Sequence, residues 1–194
     1  MDSPLVILVG GPNGAGKSTS APVLLRDTFD VTEFVNADVI AQGLSGFDPT
    51  RVGIEAGRIM LRRLKRLATE RRSFAFETTL ASRTFAPWLR RLRKDGYSIG
   101  VLFLWLPTAD QAVSRVRFRV SRGGHDVPEE AVRRRYHSGL SNFFRLYLPL
   151  ADMWCLYDNR GTQGPQGVAT KPLLGDVSVQ DPKLWRTIQE ATHD

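Results

Sequence analysis

The chain has 194 residues, 42% hydrophobic and 24% charged, an ordinary balance for one globular domain with a sizeable core. No apolar run approaches the ~18 residues of a bilayer span, and Met1-Asp2-Ser3-Pro4 lacks the basic lead of a secretory signal, so a cytoplasmic protein is expected. A net charge of +7 (27 Lys and Arg against 20 Asp and Glu) fits a solvated basic surface or attraction of phosphate-rich ligands, with nucleic acid ranking third.

Leu5 to Val9 is a continuous apolar run of the kind buried in a parallel sheet. A glycine loop follows, and then a helix over about Lys17–Phe29. Glu33 to Asn36 reads as a short second strand. A long helix is expected from Asp48-Pro49-Thr50 to near Arg72, with Ile59, Leu64, Leu67 and Ala68 at helical spacing. Ser73 to Glu77 is a third strand. The helix at Phe85–Lys94 stops at Asp95-Gly96. Ser98–Leu106 is a fourth strand closed by Pro107, followed by a helix over Thr108–Arg122. After the Gly123-Gly124-His125 loop, Asp126 and Glu129 resemble a capping box for the next helix. Met153–Tyr157 is a fifth strand. It contains Cys155, the only cysteine, which reads as a small core residue and precludes an internal disulfide. Residues 159–180 are expected to be irregular, and a short helix closes the chain.

Strands alternating with helices predict an α/β fold over residues 1–194: a P-loop NTPase three-layer sandwich with a mainly parallel sheet of about five strands. Ligands of such sheets sit outside the carboxyl ends of the strands.

Gly11-Pro12-Asn13-Gly14-Ala15-Gly16-Lys17-Ser18 matches the phosphate-binding loop pattern in full, between a buried-type strand and a helix. Its glycines let several backbone N–H groups point at one phosphate. Lys17 is placed to reach the β- and γ-phosphates of ATP, and the Ser18 hydroxyl to ligate Mg²⁺, with Thr19 beside it. The loop also resembles that of ABC transporter ATPases. Leu44-Ser45-Gly46-Phe47-Asp48 only imitates their second signature, comes too early, and no strand ends in Asp-Glu.

Phosphoryl transfer needs a group that aligns or deprotonates the acceptor hydroxyl. Asp38, just after the second strand, suits that task, although it also suits a helix start. Glu77 ends the third strand at the same rim, where it could hold a metal-bound water or a substrate hydroxyl. Thr78 adds a hydroxyl there, and Arg83 could meet a substrate phosphate. Arg115, Arg119 and Arg122 share one helix face, and Arg133, Arg134 and Arg135 open the helix beyond Gly123-Gly124. Two basic helices joined by glycines predict a lid over about residues 115–135 that closes on the triphosphate.

Taken in order, Gly10–Thr19, Phe34–Asp38, Phe74–Thr79, Gly123–Pro128 and Tyr157-Asp158-Asn159 resemble the zeta-toxin-like family of P-loop kinases. The resemblance implies ATP-dependent phosphorylation of a hydroxyl. In the best-known members the acceptor is UDP-N-acetylglucosamine, and an antitoxin protein blocks the ATP site. It maps the catalytic aspartate onto Asp38, the substrate-contacting glutamate onto Glu77, and the phosphate-contacting arginines among Arg119, Arg122 and Arg134. The chain is shorter than the plasmid toxins, and its middle differs. A nucleic-acid-directed kinase or ATPase, and a nucleotide-binding module without transfer activity, are the competing expectations.

Overall fold

The computed structural model describes residues 3–29 and 31–192. Its sheet has seven strands: β1 (Leu5–Gly10), β2 (Phe34–Val35), β3 (Phe74–Glu77), β4 (Ser98–Trp105), β5 (Met153–Asp158), β6 (Gln166–Lys171) and β7 (Ser178–Val179). Their spatial order is β2-β3-β1-β4-β5-β6-β7, with β1 to β5 parallel, β6 antiparallel to β5 and β7 antiparallel to β6. Seven helices flank it: α1 (Lys17–Phe29), α2 (Ala37–Leu44), α3 (Gly53–Thr69), α4 (Phe85–Lys94), α5 (Ala109–Ser121), α6 (Glu129–Asn142) and α7 (Pro182–Glu190). None of the described helices is long and apolar enough to cross a membrane.

The apolar run of β1 divides between two layers because successive strand side chains point to opposite faces. Val6 and Leu8 join a cluster with Leu64 and Leu67 of α3 and Leu89 of α4. Ile7 and Val9 pack with Ala21 and Leu25 of α1 on the other face. Parallel strands need covering on both faces, and this alternation supplies it. Phe74 and Phe76 of β3 are fully buried against Trp88 and Phe85, each contributing about 2–3 kcal/mol by burial.

Register decides what meets at the functional edge. Val9 of β1 lies opposite Glu77 of β3, and Val35 of β2 lies opposite Phe76. The loop after β1, the end of β3 and the residues after β2 therefore emerge side by side. Between β3 and β4 the chain passes from one flank of β1 to the other, which makes the carboxyl end of β1 a topological switch point.

Three expectations are corrected. The sheet has seven strands rather than about five, because the segment 159–180 holds β6 and β7. Only Val168 and Ala169 of β6 are buried, so its apolar pattern is faint; pairing with β5, across a register shift at Leu156/Tyr157, makes it a strand. The helix expected from Asp48 begins at Gly53. Ser45 is extended and ends α2, and Pro49–Val52 form a 3-10 turn first. The Asp126–Glu129 capping box does not form: Pro128 takes the cap position, and Asp126 Oδ1 accepts from the neighbouring Val127 N–H.

After α6 a π-helical stretch, Phe143–Tyr147, carries the fully buried Tyr147, whose hydroxyl donates to Ser82 O. Tyr136 donates to Leu106 O at 2.8 Å. Burial pushes both phenols from 10.0 up to about 12. The unfolded chain therefore releases these protons first, so their stabilisation is full below pH 10 and is lost as pH rises toward 12. Urea midpoints measured against pH should fall across that window, and Tyr147→Phe should flatten the fall. An unchanged slope in that variant would remove Tyr147 from the account.

Candidate active site

Backbone chemistry builds the loop. Gly11 has φ 139° and Gly16 φ 79°, a region other residues rarely occupy. A Cβ on Gly11 would stand 2.4 Å from Leu104 O, and one on Gly16 would stand 2.8 Å from Asn159 Nδ2. Neighbouring strands thus press against the loop, and only glycine fits. The Ala15 N–H donates to Pro12 O at 3.1 Å, and Asn159 Nδ2 donates to Ala15 O at 2.7 Å. α1 starts at Lys17, so its N-terminal N–H groups and dipole face the loop and favour an anion.

Lys17 is only 5% exposed. Its Nζ donates to Pro12 O at 2.9 Å and lies 3.5 Å from Glu77 Oε1. Burial pushes its pKa down, while Glu77 and Asp38 pull it back up. Glu77 Oε2 accepts from Ser18 Oγ at 2.7 Å and from Asn36 Nδ2 at 2.7 Å. Asn36 Oδ1 in turn caps α2, accepting from the Asp38 N–H at 2.7 Å. One buried amide thereby ties the Glu77 carboxylate to the helix start that carries Asp38.

A cavity of about 270 Å³ opens over this network, lined by Asn13, Lys17, Ser18, Asp38, Glu77 and Arg119, with Gly14, Gly16, Thr19 and Arg115 completing its wall. Two buried polar atoms of its lining have no hydrogen-bond partner among the described residues: Asn13 Oδ1 and Arg119 Nε. Such orphans are costly inside a protein, and a polar partner would relieve that cost. The oxygen donors (two hydroxyls and two carboxylates) suit a hard cation shared with phosphates. Among the described residues no group of three or more His, Cys, Asp or Glu could hold a metal by itself.

The other expected site residues lie elsewhere. Thr78 Oγ1 accepts from the Leu80 N–H at 3.1 Å, a turn contact beside the left-handed Leu80 (φ 57°). Arg83 is exposed, with Nε 3.4 Å from Asn142 Oδ1. Arg122 lies over the Phe118 ring at 4.8 Å, and Arg134 is exposed on α6. Neither lines the cavity. Arg133 is held by Glu129 and Asp110.

Sequence reasoning passed over Asn36 and Asn159, and did not single out Arg115 from its helix face. Asn36 had a local signal: an amide directly after a strand and two residues before Asp38. Arg115 had only its spacing with Arg119. It donates to Arg160 O at 2.9 Å, and Asn159 meets Ala15 across 144 residues.

Replacing Lys17 by Ala removes the buried cation while leaving the β1 and α1 packing in place. ATP affinity, read by calorimetry, should fall at least about tenfold, since charge-assisted contacts weigh about 1.5–3 kcal/mol. Thermal melting should stay cooperative. Full ATP affinity in a folded Lys17→Ala chain would remove Lys17 from the phosphate site.

The AAA_33 family, described as an AAA domain, matches residues 6–142. A protein of Haemophilus influenzae (strain ATCC 51907 / DSM 11121 / KW20 / Rd), described as uncharacterized, is 26% identical over 127 residues, covering 65% of this chain and 88% of its own. Among solved structures, a chain of the AvrRxo1-ORF1:-ORF2 complex with ATP is similar (TM-score 0.74, 19% identity). The match covers 96% of this chain but only 64% of that one, so this chain spans less than two thirds of it. The PezAT toxin-antitoxin system of Streptococcus pneumoniae gives 0.63 at 13% identity, covering 100% of this chain and 87% of that one. A gluconokinase from Sinorhizobium meliloti 1021 gives 0.52 at 15%, covering 100% and 92%. At these identities the likeness is one of fold. With a complete phosphate-binding loop at the switch point of its sheet and most of its length matched, the chain belongs to the AAA_33 family of AAA domains.

Proposed function

We propose that the protein is an ATP-dependent phosphotransferase that moves the γ-phosphoryl group to a hydroxyl of a small metabolite. The observation that carries this reading is the shared cavity: Lys17 and Asp38 line one 270 Å³ space over the phosphate loop, together with Arg115 and Arg119. A nucleotide-binding module needs the loop, Lys17 and one carboxylate for the metal, a place Glu77 fills; hydroxyl activation needs a second carboxylate, and Asp38 lines the same cavity.

In this reading the loop N–H groups and Lys17 hold the β- and γ-phosphates. Asp38 orients the acceptor hydroxyl and takes its proton as the new O–P bond forms and the bond from phosphorus to the bridging oxygen of ADP breaks. Arg119 faces the charge that spreads over the transferring group. Ser18 and Glu77 would hold Mg²⁺, which would neutralise phosphate charge. The Glu77 carboxylate accepts from Ser18 and Asn36 and lies beside Lys17.

The convergence of Lys17, Asp38, Glu77 and Arg119 supports the resemblance to the zeta-toxin-like kinases. UDP-N-acetylglucosamine is accordingly the first acceptor to test. The similarity to a chain of a toxin-antitoxin system supports an antitoxin partner. Arg122 and Arg134 would reach phosphate only through closure of a lid over residues 115–135, hinged at Gly123 (φ 79°). Hydrogen exchange with a non-hydrolysable ATP analogue should show protection across that segment. Equal exchange with and without the analogue would discard the lid.

Incubation with Mg²⁺, ATP and UDP-N-acetylglucosamine should add one phosphate to the sugar nucleotide, read by mass spectrometry. Asp38→Asn should lower turnover by about 10²-fold or more with ATP affinity little changed. Loss of ATP binding in step with activity would make Asp38 structural. If no metabolite in a cell extract is phosphorylated from labelled ATP, the kinase reading fails.

A further inference from the structure

A second cavity, of about 440 Å³, lies beyond the phosphate loop. One wall is the corner after α2, with Gln42, Phe47 and Asp48. The other is the α5–α6 loop, with Gly124, His125 and Asp126. Two links join it to the phosphate cavity. Asp38 and Gln42 stand four residues apart on α2, hence on one helix face, the first lining the phosphate cavity and the second this one. Arg119 lines the phosphate cavity and donates to His125 O at 2.6 Å.

The lining differs sharply from that of the phosphate cavity. Both cavities carry two carboxylates, but this one has no lysine or arginine beside them, only an amide, the His125 imidazole and an aromatic ring. Phe47 is fully exposed, the most exposed large hydrophobic among the described residues. An apolar ring held open to solvent at the rim of a polar cavity is suited to covering the flat face of a ligand. Carboxylates accept strong, short hydrogen bonds from hydroxyls and repel phosphates.

We infer that Gln42, Phe47, Asp48 and Asp126 form the acceptor subsite, and that they select an uncharged, hydroxyl-bearing ring while excluding phosphate from this space. The inference rests on the phosphotransferase reading. It adds that any phosphates of the acceptor stay outside this cavity, despite the chain's net charge of +7. The ring enters between the two loops with one hydroxyl toward Asp38. Phe47 covers its face, and Gln42 and the two carboxylates take its remaining hydroxyls. The His125–Arg119 contact ties the loop over the acceptor to the arginine facing the transferring phosphate. Gly124 serves that contact, since a Cβ there would stand 2.4 Å from Arg119 Cγ.

The test titrates the full chain, saturated with a non-hydrolysable ATP analogue, with methyl N-acetylglucosaminide, myo-inositol and glucose 6-phosphate, followed by ligand-observed NMR and calorimetry. A neutral ring compound should bind, and the phosphate ester should not. Phe47→Ala and Gln42→Ala should each weaken the neutral ligand by about tenfold, the scale of one aromatic or hydrogen-bond contact. The Asp48→Asn, Asp126→Asn double variant should admit glucose 6-phosphate. Phe47 is fully exposed, so its removal leaves the core intact, and a melt confirms folding. Binding of the ATP analogue is read in the same titration. If the analogue fails to bind, the phosphotransferase reading falls. If it binds while no neutral ring does, or if Phe47→Ala and Gln42→Ala leave neutral-ligand affinity unchanged, or if glucose 6-phosphate binds the parent chain better, the subsite is overturned alone.

Discussion

An ammonium group that keeps only 5% of its surface loses several kcal/mol of hydration. It stays charged only where carbonyl oxygen and counter-charge replace that water. For Lys17 these are Pro12 O, Glu77 and Asp38. Pro12 O comes from a loop that folds back on itself. Glu77 comes from a strand separated by 60 residues and aligned by its pairing with Val9. Asp38 comes from a helix start capped by Asn36, whose amide also holds Glu77. Each partner is placed by a different part of the fold. The burial of one cation therefore makes the loop, β3 and the start of α2 a single unit, and the Asp38 backbone is fixed relative to the glycine loop by the same bonds.

The arginines divide by what neutralises them. Arg133 is engaged with Glu129 and Asp110, Arg63 and Arg72 share Glu33, and Arg93 meets Asp152. These pairs sit at the surface, where each weighs little in stability. Arg119 differs: its Nη2 spends a charged donor on a backbone carbonyl, and its Nε is buried without a partner among the described residues. A guanidinium left half-served beside a phosphate loop has capacity in reserve for an anion. Net positive charge says nothing of this distinction, since Arg122 contributes to it equally while lying over Phe118.

The two cavities differ in charge along one helix. Over the loop, Lys17, Arg115 and Arg119 stand beside Asp38 and Glu77. One helical turn further along α2, Asp48 and Asp126 line a space with His125 and an aromatic ring but no lysine or arginine. The change of character occurs across one turn of α2, from Asp38 to Gln42.

Several features were legible in the amino-acid sequence because they rest on short-range rules. The loop from Gly11 to Ser18 is set by the conformations glycine permits. α4 is as expected because its apolar periodicity is strong and Gly96 follows its end; α1 is as expected because it opens directly after the glycine loop; β1 and β4 are nearly so because each is a continuous apolar run. Asp38, Glu77 and Lys17 could be named as candidates from their positions at strand and helix ends. Their convergence could not, because it depends on the parallel register of β1 with β3 and on an amide at Asn36 that makes two bonds at once. β6 escaped notice because pairing with β5, rather than its own pattern, makes it a strand. Which arginines face the cavity was equally out of reach. On the α5 face, spacing makes Arg115, Arg119 and Arg122 equivalent. Only the packing of α5 against the loop at Gly14, where a Cβ would stand 3.0 Å from Arg115 Cβ, turns two of them toward the phosphate site and leaves the third outside.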